Sequence, residues 1–285
     1  MAEALVRVHD LTARGCVDGR LSVVSELCPA LQAIPDGYAP YLPDAVVPRG
    51  EWRAPTTDEL SSLLGDPGVY SDSDILVVPL PGLARALSDH LGPRGDFELL
   101  RKAVRDATFV KALAECIDEL IPFCVRPDGL VCQGAWVSPG GMRLVTHNMG
   151  KVPHRRIGFH VDNWDDLPLP ERARGRRRLC VNLGLRPRYL LFLRTPLSAL
   201  ALAGELPQKA PGVGSPAGLV RVHLRTHLKQ LAVRIRIDPG EAYIVNADDV
   251  IHDGASDASD VPDVALHFLG HFGPGEAIDI VSVGQ

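Results

Sequence analysis

Gly158-Phe159-His160-Val161-Asp162-Asn163-Trp164 sets a histidine and a carboxylate two residues apart. On an extended backbone, residues i and i+2 point to the same face. An imidazole and a carboxylate side by side supply two of the three donors of a 2-His-1-carboxylate facial set, which leaves positions open on a non-heme Fe(II). The third donor then has to come from a distant strand. His252, in Val250-Ile251-His252-Asp253-Gly254, is the candidate. An isolated His-x-Asp is weak; the spaced histidine and a β-rich background give it weight. The competing reading is structural: His160 and Asp162 form a hydrogen-bonded pair at a strand end, and His252 caps a turn.

Outward from this stretch the chain reads as short strands. From about residue 124 the period is two. Leu130–Val137, Met142–Thr146, the end of a strand at His160–Asp162, Arg178–Leu183, Tyr189–Leu193, Val233–Ile237, Ala242–Val245, Val250–His252 and Val264–Phe272 are the expected strands. Residues 204–218, rich in Gly and Pro, read as a loop. Many short strands with turns between them indicate a sandwich or barrel. A strand-borne metal set points to a double-stranded β-helix, the jelly-roll or cupin-like barrel, with the metal at its mouth.

The first part of the chain is more helical. Phe97–Ile121 repeats apolar residues at three- and four-residue steps and predicts one long helix or two short ones packed against a sheet. Thr56-Thr57-Asp58-Glu59-Leu60 reads as a capped short helix. Asp74–Leu80 reads as a buried strand, and Leu21–Cys28 as a short helix ended by Pro29. The expected organisation is a single catalytic domain over 1–285, mainly β with bracing helices: a helix-containing part over 1–125 and a jelly-roll core over 126–285 that holds the metal site.

Composition excludes several classes. The 285 residues suffice for a sizeable core. The net charge of −5 argues against a general nucleic-acid-binding surface. A basic n-region with a following apolar run is not seen at Met1–Arg7, and no apolar stretch is long enough to span a membrane, so a cytoplasmic protein is expected. The cysteines at 16, 28, 116, 124, 132 and 180 form no C-x-x-C pair and read as reduced thiols. Phosphate-binding glycine loops, G-x-S-x-G elbows and H-E-x-x-H motifs are missing.

His160-Val161-Asp162 followed by a distal His252 resembles the Fe(II)- and 2-oxoglutarate-dependent oxygenases. The stretch Pro239-Gly240-Glu241-Ala242-Tyr243-Ile244-Val245 leading to His252 is similar to that family's turn and strand before the distal histidine. The resemblance covers roughly residues 130–272. It implies His160, Asp162 and His252 as Fe(II) ligands, 2-oxoglutarate as cosubstrate and O2 as oxidant. It further implies decarboxylation to succinate and CO2, coupled to oxidation of a C–H bond. With Asp162 present, hydroxylation, desaturation or ring closure is expected rather than halogenation.

One element of the family pattern is missing. The family binds the far carboxylate of 2-oxoglutarate with an Arg or Lys, often on the strand after the distal histidine. This chain has no Arg or Lys after Arg236. His267 on the last expected strand is one stand-in, a weaker clamp than a guanidinium. Arg188, at the start of Tyr189–Leu193, is the best basic candidate on an earlier strand, with Arg178 and Arg194 as further ones. Asn182, mid-strand in an apolar run, is either a cosubstrate contact or a satisfied core amide.

The remaining candidates are weaker. Trp164 either walls the substrate pocket or packs. His223 and His227, at i and i+4 among Arg221, Arg225 and Lys229, read as a basic surface segment. Arg172–Arg178 reads as a solvated basic loop, or, being close to the ligands, as a holder of a substrate carboxylate or phosphate. His147 and His154 read as loop histidines. A small-molecule substrate is expected, with no nucleic-acid or membrane partner, and the Lys-poor, Ala-, Arg-, Gly- and Pro-rich composition is that of a high-GC bacterium and fits natural-product tailoring. The rivals are a cupin-like metal enzyme using the same ligands without 2-oxoglutarate, and a non-catalytic β-sandwich binding protein.

Overall fold

The structure is a computed structural model that describes residues 5–12, 19–33, 37–148, 153–206 and 215–274. Its strands are β1 (Val8–Asp10), β2 (Leu21–Val24), β3 (Glu26–Pro29), β4 (Val46–Arg49), β5 (Ile75–Pro79), β6 (Cys124–Ser138), β7 (Arg177–Asn182), β8 (Arg188–Leu193), β9 (Ala232–Ile237), β10 (Glu241–Val245), β11 (His252–Ser256) and β12 (Asp263–Phe272). Its helices are α1 (Thr57–Leu63), α2 (Pro81–Ser88), α3 (Phe97–Ala103), α4 (Ala107–Cys116), α5 (Leu197–Leu202) and α6 (Pro216–Thr226).

Two sheets face each other. The larger has the order β1-β5-β10-β7-β12-β6, and the smaller β11-β8-β9-β2. From residue 124 the chain alternates between them. β6 lies in the larger sheet, and His160 then bridges to His252 on the edge of the smaller. β7 returns to the larger sheet, β8 and β9 form the smaller, and β10, β11 and β12 alternate between the two. This eight-part winding is a double-stranded β-helix. Residues before 124 lengthen both sheets: β5 pairs antiparallel with β10, and β2 pairs antiparallel with β9.

Period-two alternation decides which side chains meet. Leu179, Val181, Ala242, Ile244, Leu266 and Phe268 leave the back of the larger sheet and pack against Leu83, Leu87, Leu100 and Phe109 of α2, α3 and α4. Cys180, Tyr243 and Ala265 point the other way, towards Leu190, Phe192, Val233 and Ile235 between the sheets. The back of the smaller sheet is covered by β3, β4, α5 and α6 through Leu27, Val47, Leu197 and Leu224.

The Phe97–Ile121 region divides into α3 and α4, and each helix starts on its own aspartate cap, Asp96 or Asp106. Four expectations need correction. Leu21–Cys28 is not helical: it is β2 and β3, because the open edge of β9 and the partner β4 pair with it. Tertiary pairing outweighs a weak local signal here. Met142–Thr146 forms no regular strand, although Val145 N donates to Gly254 O and Ser256 N to Met142 O beside β11. His160–Asp162 likewise joins the sheet only through the His160–His252 bridge. Residues 204–218 are not all loop, since Ser215 caps α6, which begins at Pro216; residues 207–214 lie outside those described. The cysteines at 28, 116, 124, 132 and 180 are free thiols, and Cys16 lies outside the described residues. Among the described residues, no helix is long and apolar enough to cross a membrane.

Candidate metal centre

His160 and His252 are cross-strand neighbours. His160 N donates to His252 O at 3.1 Å, and His252 N to His160 O at 2.8 Å. Their rings lie 4.7 Å apart between centroids. Asp162 is fixed by its own N–H, which donates to Ala247 O at 2.8 Å. One donor atom from each of His160, Asp162 and His252 lies within 4.8 Å of the other two.

The backbone sets the tautomer of both imidazoles. His160 Nδ1 lies 2.8 Å from Gly158 O, and His252 Nδ1 lies 2.9 Å from Val250 O. A carbonyl oxygen only accepts, so each Nδ1 carries the hydrogen and each Nε2 keeps its lone pair. His160 Nε2 is buried without a hydrogen-bond partner among the described residues, 3.7 Å from Asp162 Oδ1. Gly158 is needed for this arrangement. Its φ is +68°, and a Cβ there would sit 2.6 Å from Val46 O.

Asp162 presents its two oxygens differently. Oδ2 accepts from Arg178 Nη2 at 2.7 Å and from Trp164 Nε1 at 3.0 Å. Oδ1 faces His160. Burial would raise this carboxyl, but Arg178 foremost, with His252 and His160, holds it at about 2. Burial lowers the pKa of His160 and of His252. Two neutral imidazoles and one carboxylate are the protonation states a divalent metal requires of its ligands. An orphaned buried Nε2, two outward-facing Nδ1–H groups and a half-occupied carboxylate therefore fit a metal ion of the kind bound by N/O donors.

Behind this group, between the sheets, lie the side chains expected for a cosubstrate. Arg188 stands on the inner face of β8, with Nη2 3.8 Å from Asp263 Oδ2. Burial opposes its charge, but Asp263 outweighs that and its pKa is raised. Its Nε and Nη1 have no partner among the described residues. Gly254 is two residues after His252 on the same face of β11, and a Cβ there would lie 3.6 Å from Arg188 Nη2. His267 lies beside Cys180, with Nε2 3.6 Å from Sγ. Burial first, then Arg178 and Arg188, push its pKa well below the usual imidazole range, so it is neutral and supplies no cationic clamp.

Asn182 does not face a ligand. Its Nδ2 donates to Arg186 O and Ile237 O, and its Oδ1 accepts from Gly184 N, so the amide pins the β7–β8 turn and ties it to the end of β9. This is the satisfied core amide, and the expectation of a cosubstrate contact is corrected. Arg172–Arg178 is not a solvated loop either. Arg172 is buried and donates to Asp162 O and Asp248 O, Arg176 binds Asp165, and Arg177 bonds Phe272 O and Asp74 O. Arg178 is the residue whose role the sequence reading missed. Its signal was available: in β7 it shares the inner face with Cys180, two residues on.

No family model matches the chain, and no curated protein matches it. Among solved structures it is similar to the Kdo hydroxylase KdoO, a non-heme Fe(II) alphaketoglutarate-dependent dioxygenase, with 15% identity, a TM-score of 0.35, and 75% of this chain and 87% of that chain covered. The non-heme alpha-ketoglutarate-dependent epimerase SnoN from nogalamycin biosynthesis gives 13% identity and a TM-score of 0.32, over 70% of this chain and 79% of that chain. HygX from Streptomyces hygroscopicus, with iron bound, gives 11% identity and a TM-score of 0.27, over 78% and 87%. The geometry described above stands independently of these likenesses.

Proposed function

We propose that the protein is a non-heme Fe(II)- and 2-oxoglutarate-dependent oxygenase that oxidises a small molecule. The observation that carries this reading is the His160, Asp162 and His252 group: two donors on the bridged segment beside β11 and one on β11 itself, two neutral and one ionised, with both imidazoles orientated by backbone carbonyls. Bound Fe(II) with 2-oxoglutarate supplies O2 activation coupled to oxidative decarboxylation, and with it the oxidation of a C–H bond.

The chain's own residues do the rest. His160, Asp162 and His252 would hold the metal. Arg188, charged and with two N–H groups free of partners among the described residues, is the anchor for the far carboxylate of the cosubstrate. Neutral His267 sits against Cys180, which in turn is hydrogen-bonded to Tyr243, on the same inner face. Half-exposed Trp164 walls the substrate side next to Asp162. Strands from both parts of the chain build the two sheets, which supports reading 1–285 as one catalytic unit. The composition favours a bacterial natural-product substrate.

The test is an anaerobic titration with Fe(II) and then 2-oxoglutarate, watching for the visible charge-transfer band of the chelate. The expected result is a band that saturates near one equivalent and is lost in His160→Ala, Asp162→Ala and His252→Ala variants that keep their far-ultraviolet circular dichroism. Iron binding without the band would leave the metal centre and remove the cosubstrate, favouring a cupin-like metal enzyme. Absence of iron binding would remove both.

A further inference from the structure

We infer that Arg178 and Trp164 form a clamp that makes Asp162 a one-oxygen ligand, so that Arg178 is a positioning residue of the metal centre. The inference rests on the metal-centre reading above. Three observations lead to it. Arg178 Nη2 and Trp164 Nε1 both donate to the same oxygen, Asp162 Oδ2, at 2.7 and 3.0 Å. The guanidinium carbon of Arg178 lies over the Trp164 ring, 5.5 Å from its centroid, so the two donors also hold each other. The other oxygen, Oδ1, is the one turned towards His160 Nε2.

The chemistry follows from donor counting. A free carboxylate offers a metal either one oxygen or two, and a two-oxygen mode would occupy a position that an open facial site needs. Two N–H donors on Oδ2 satisfy its lone pairs and take it out of competition for the metal. The clamp is itself held from behind. Trp164 N donates to both carboxylate oxygens of Asp248, and Arg172 donates to Asp162 O and Asp248 O. Asp162 thus cannot rotate about its χ2 without breaking two charge-assisted or indole hydrogen bonds. Arg178 also cancels the single negative charge of the ligand set. A divalent ion there keeps a net charge of two, which favours a dianionic chelating ligand over a neutral one.

The experiment uses the full chain loaded with Co(II), whose visible d–d bands report coordination number without turnover. Wild type, Arg178→Met, Arg178→Lys and Trp164→Phe are titrated with Co(II), and their folding is checked by circular dichroism. Loss of an outer partner of a metal ligand typically costs roughly 10–100-fold in metal affinity. The expected result is a weakening of that size in Arg178→Met with a changed d–d spectrum, a smaller change in Trp164→Phe, and partial recovery in Arg178→Lys. Trp164→Phe keeps an aromatic ring at this position but loses the indole N–H, so it tests the clamp even if Arg178→Met does not fold. Wild-type affinity and an unchanged spectrum in both Trp164→Phe and every folded Arg178 variant would overturn the clamp while leaving the metal centre intact. Failure of the wild type to bind Co(II) would overturn the metal centre itself.

Discussion

At the scale of single residues, the candidate site is defined by which polar atoms have partners and which do not. His160 Nε2 and Arg188 Nε and Nη1 are buried without partners among the described residues. Unpaired buried donors and acceptors are costly, so these atoms are the ones the proposed metal and cosubstrate would satisfy. Gly254 lies between them. Its Cβ would meet Val145 Cγ2 at 3.0 Å and Arg188 Nη2 at 3.6 Å. Gly254→Val is therefore expected to weaken 2-oxoglutarate binding by about tenfold or more while Fe(II) affinity is kept, and Arg188→Met is expected to do the same by removing a charge-assisted partner. Paired titrations of metal and cosubstrate separate the two effects. Unchanged cosubstrate affinity in both variants would place the anchor elsewhere. At this scale His160, Asp162 and His252 were legible as candidates because their pattern is local or carried by residue type. The job of Arg178 was harder to read, because whether it meets Asp162 depends on the register of β7.

At the scale of elements, α1 shows how far local rules reach. Thr56 Oγ1 accepts from Glu59 N at 3.2 Å, and Thr56 N donates to Glu59 Oε2 at 2.7 Å, completing the capping box that Thr56-Thr57-Asp58-Glu59 predicts. Glu59 also binds Arg53 through both oxygens at 2.7 Å. Thr56→Ala is expected to cost about 1 kcal/mol, measurable by denaturant unfolding. The hydrogen bonds from Arg53 foremost hold the Glu59 carboxyl at about 2, below its ordinary 4.5. Its contribution is therefore fully present above about pH 4.5 and is lost as the pH falls towards about 2, weakly so because the pair is exposed. A Glu59→Gln variant should flatten that part of the acid-unfolding curve. β2 and β3 show where local rules stop. Leu21–Cys28 contains no strong helix or strand signature, and its state was decided by the open edges of β9 and β4.

At the scale of the whole molecule, closing the two sheets over one interior and packing α6 behind the smaller sheet buries histidines that the unfolded chain exposes. Burial lowers the pKa of His160, His252, His267 and, less completely enclosed, His223 from the ordinary 6.5. Below about pH 6.5 the unfolded chain takes up protons that the folded chain refuses. Stability without metal is then expected to fall as the pH drops from about 7 towards 5, by at most about 1.4 kcal/mol per pH unit for each fully protected histidine. Thermal melts of metal-free protein across that range check it, and a flat profile would mean that these imidazoles protonate in place. The chain's own pattern determined the β-rich barrel, the helices behind its larger sheet and the three candidate donors, because side-chain period and residue chemistry are carried by near neighbours in sequence. Only the tertiary structure decided that His160 pairs with His252, that Asn182 pins a turn, that His267 is neutral and that Arg178 grips Asp162. Those facts depend on strand register and on burial, and both are set by contacts between residues far apart along the chain.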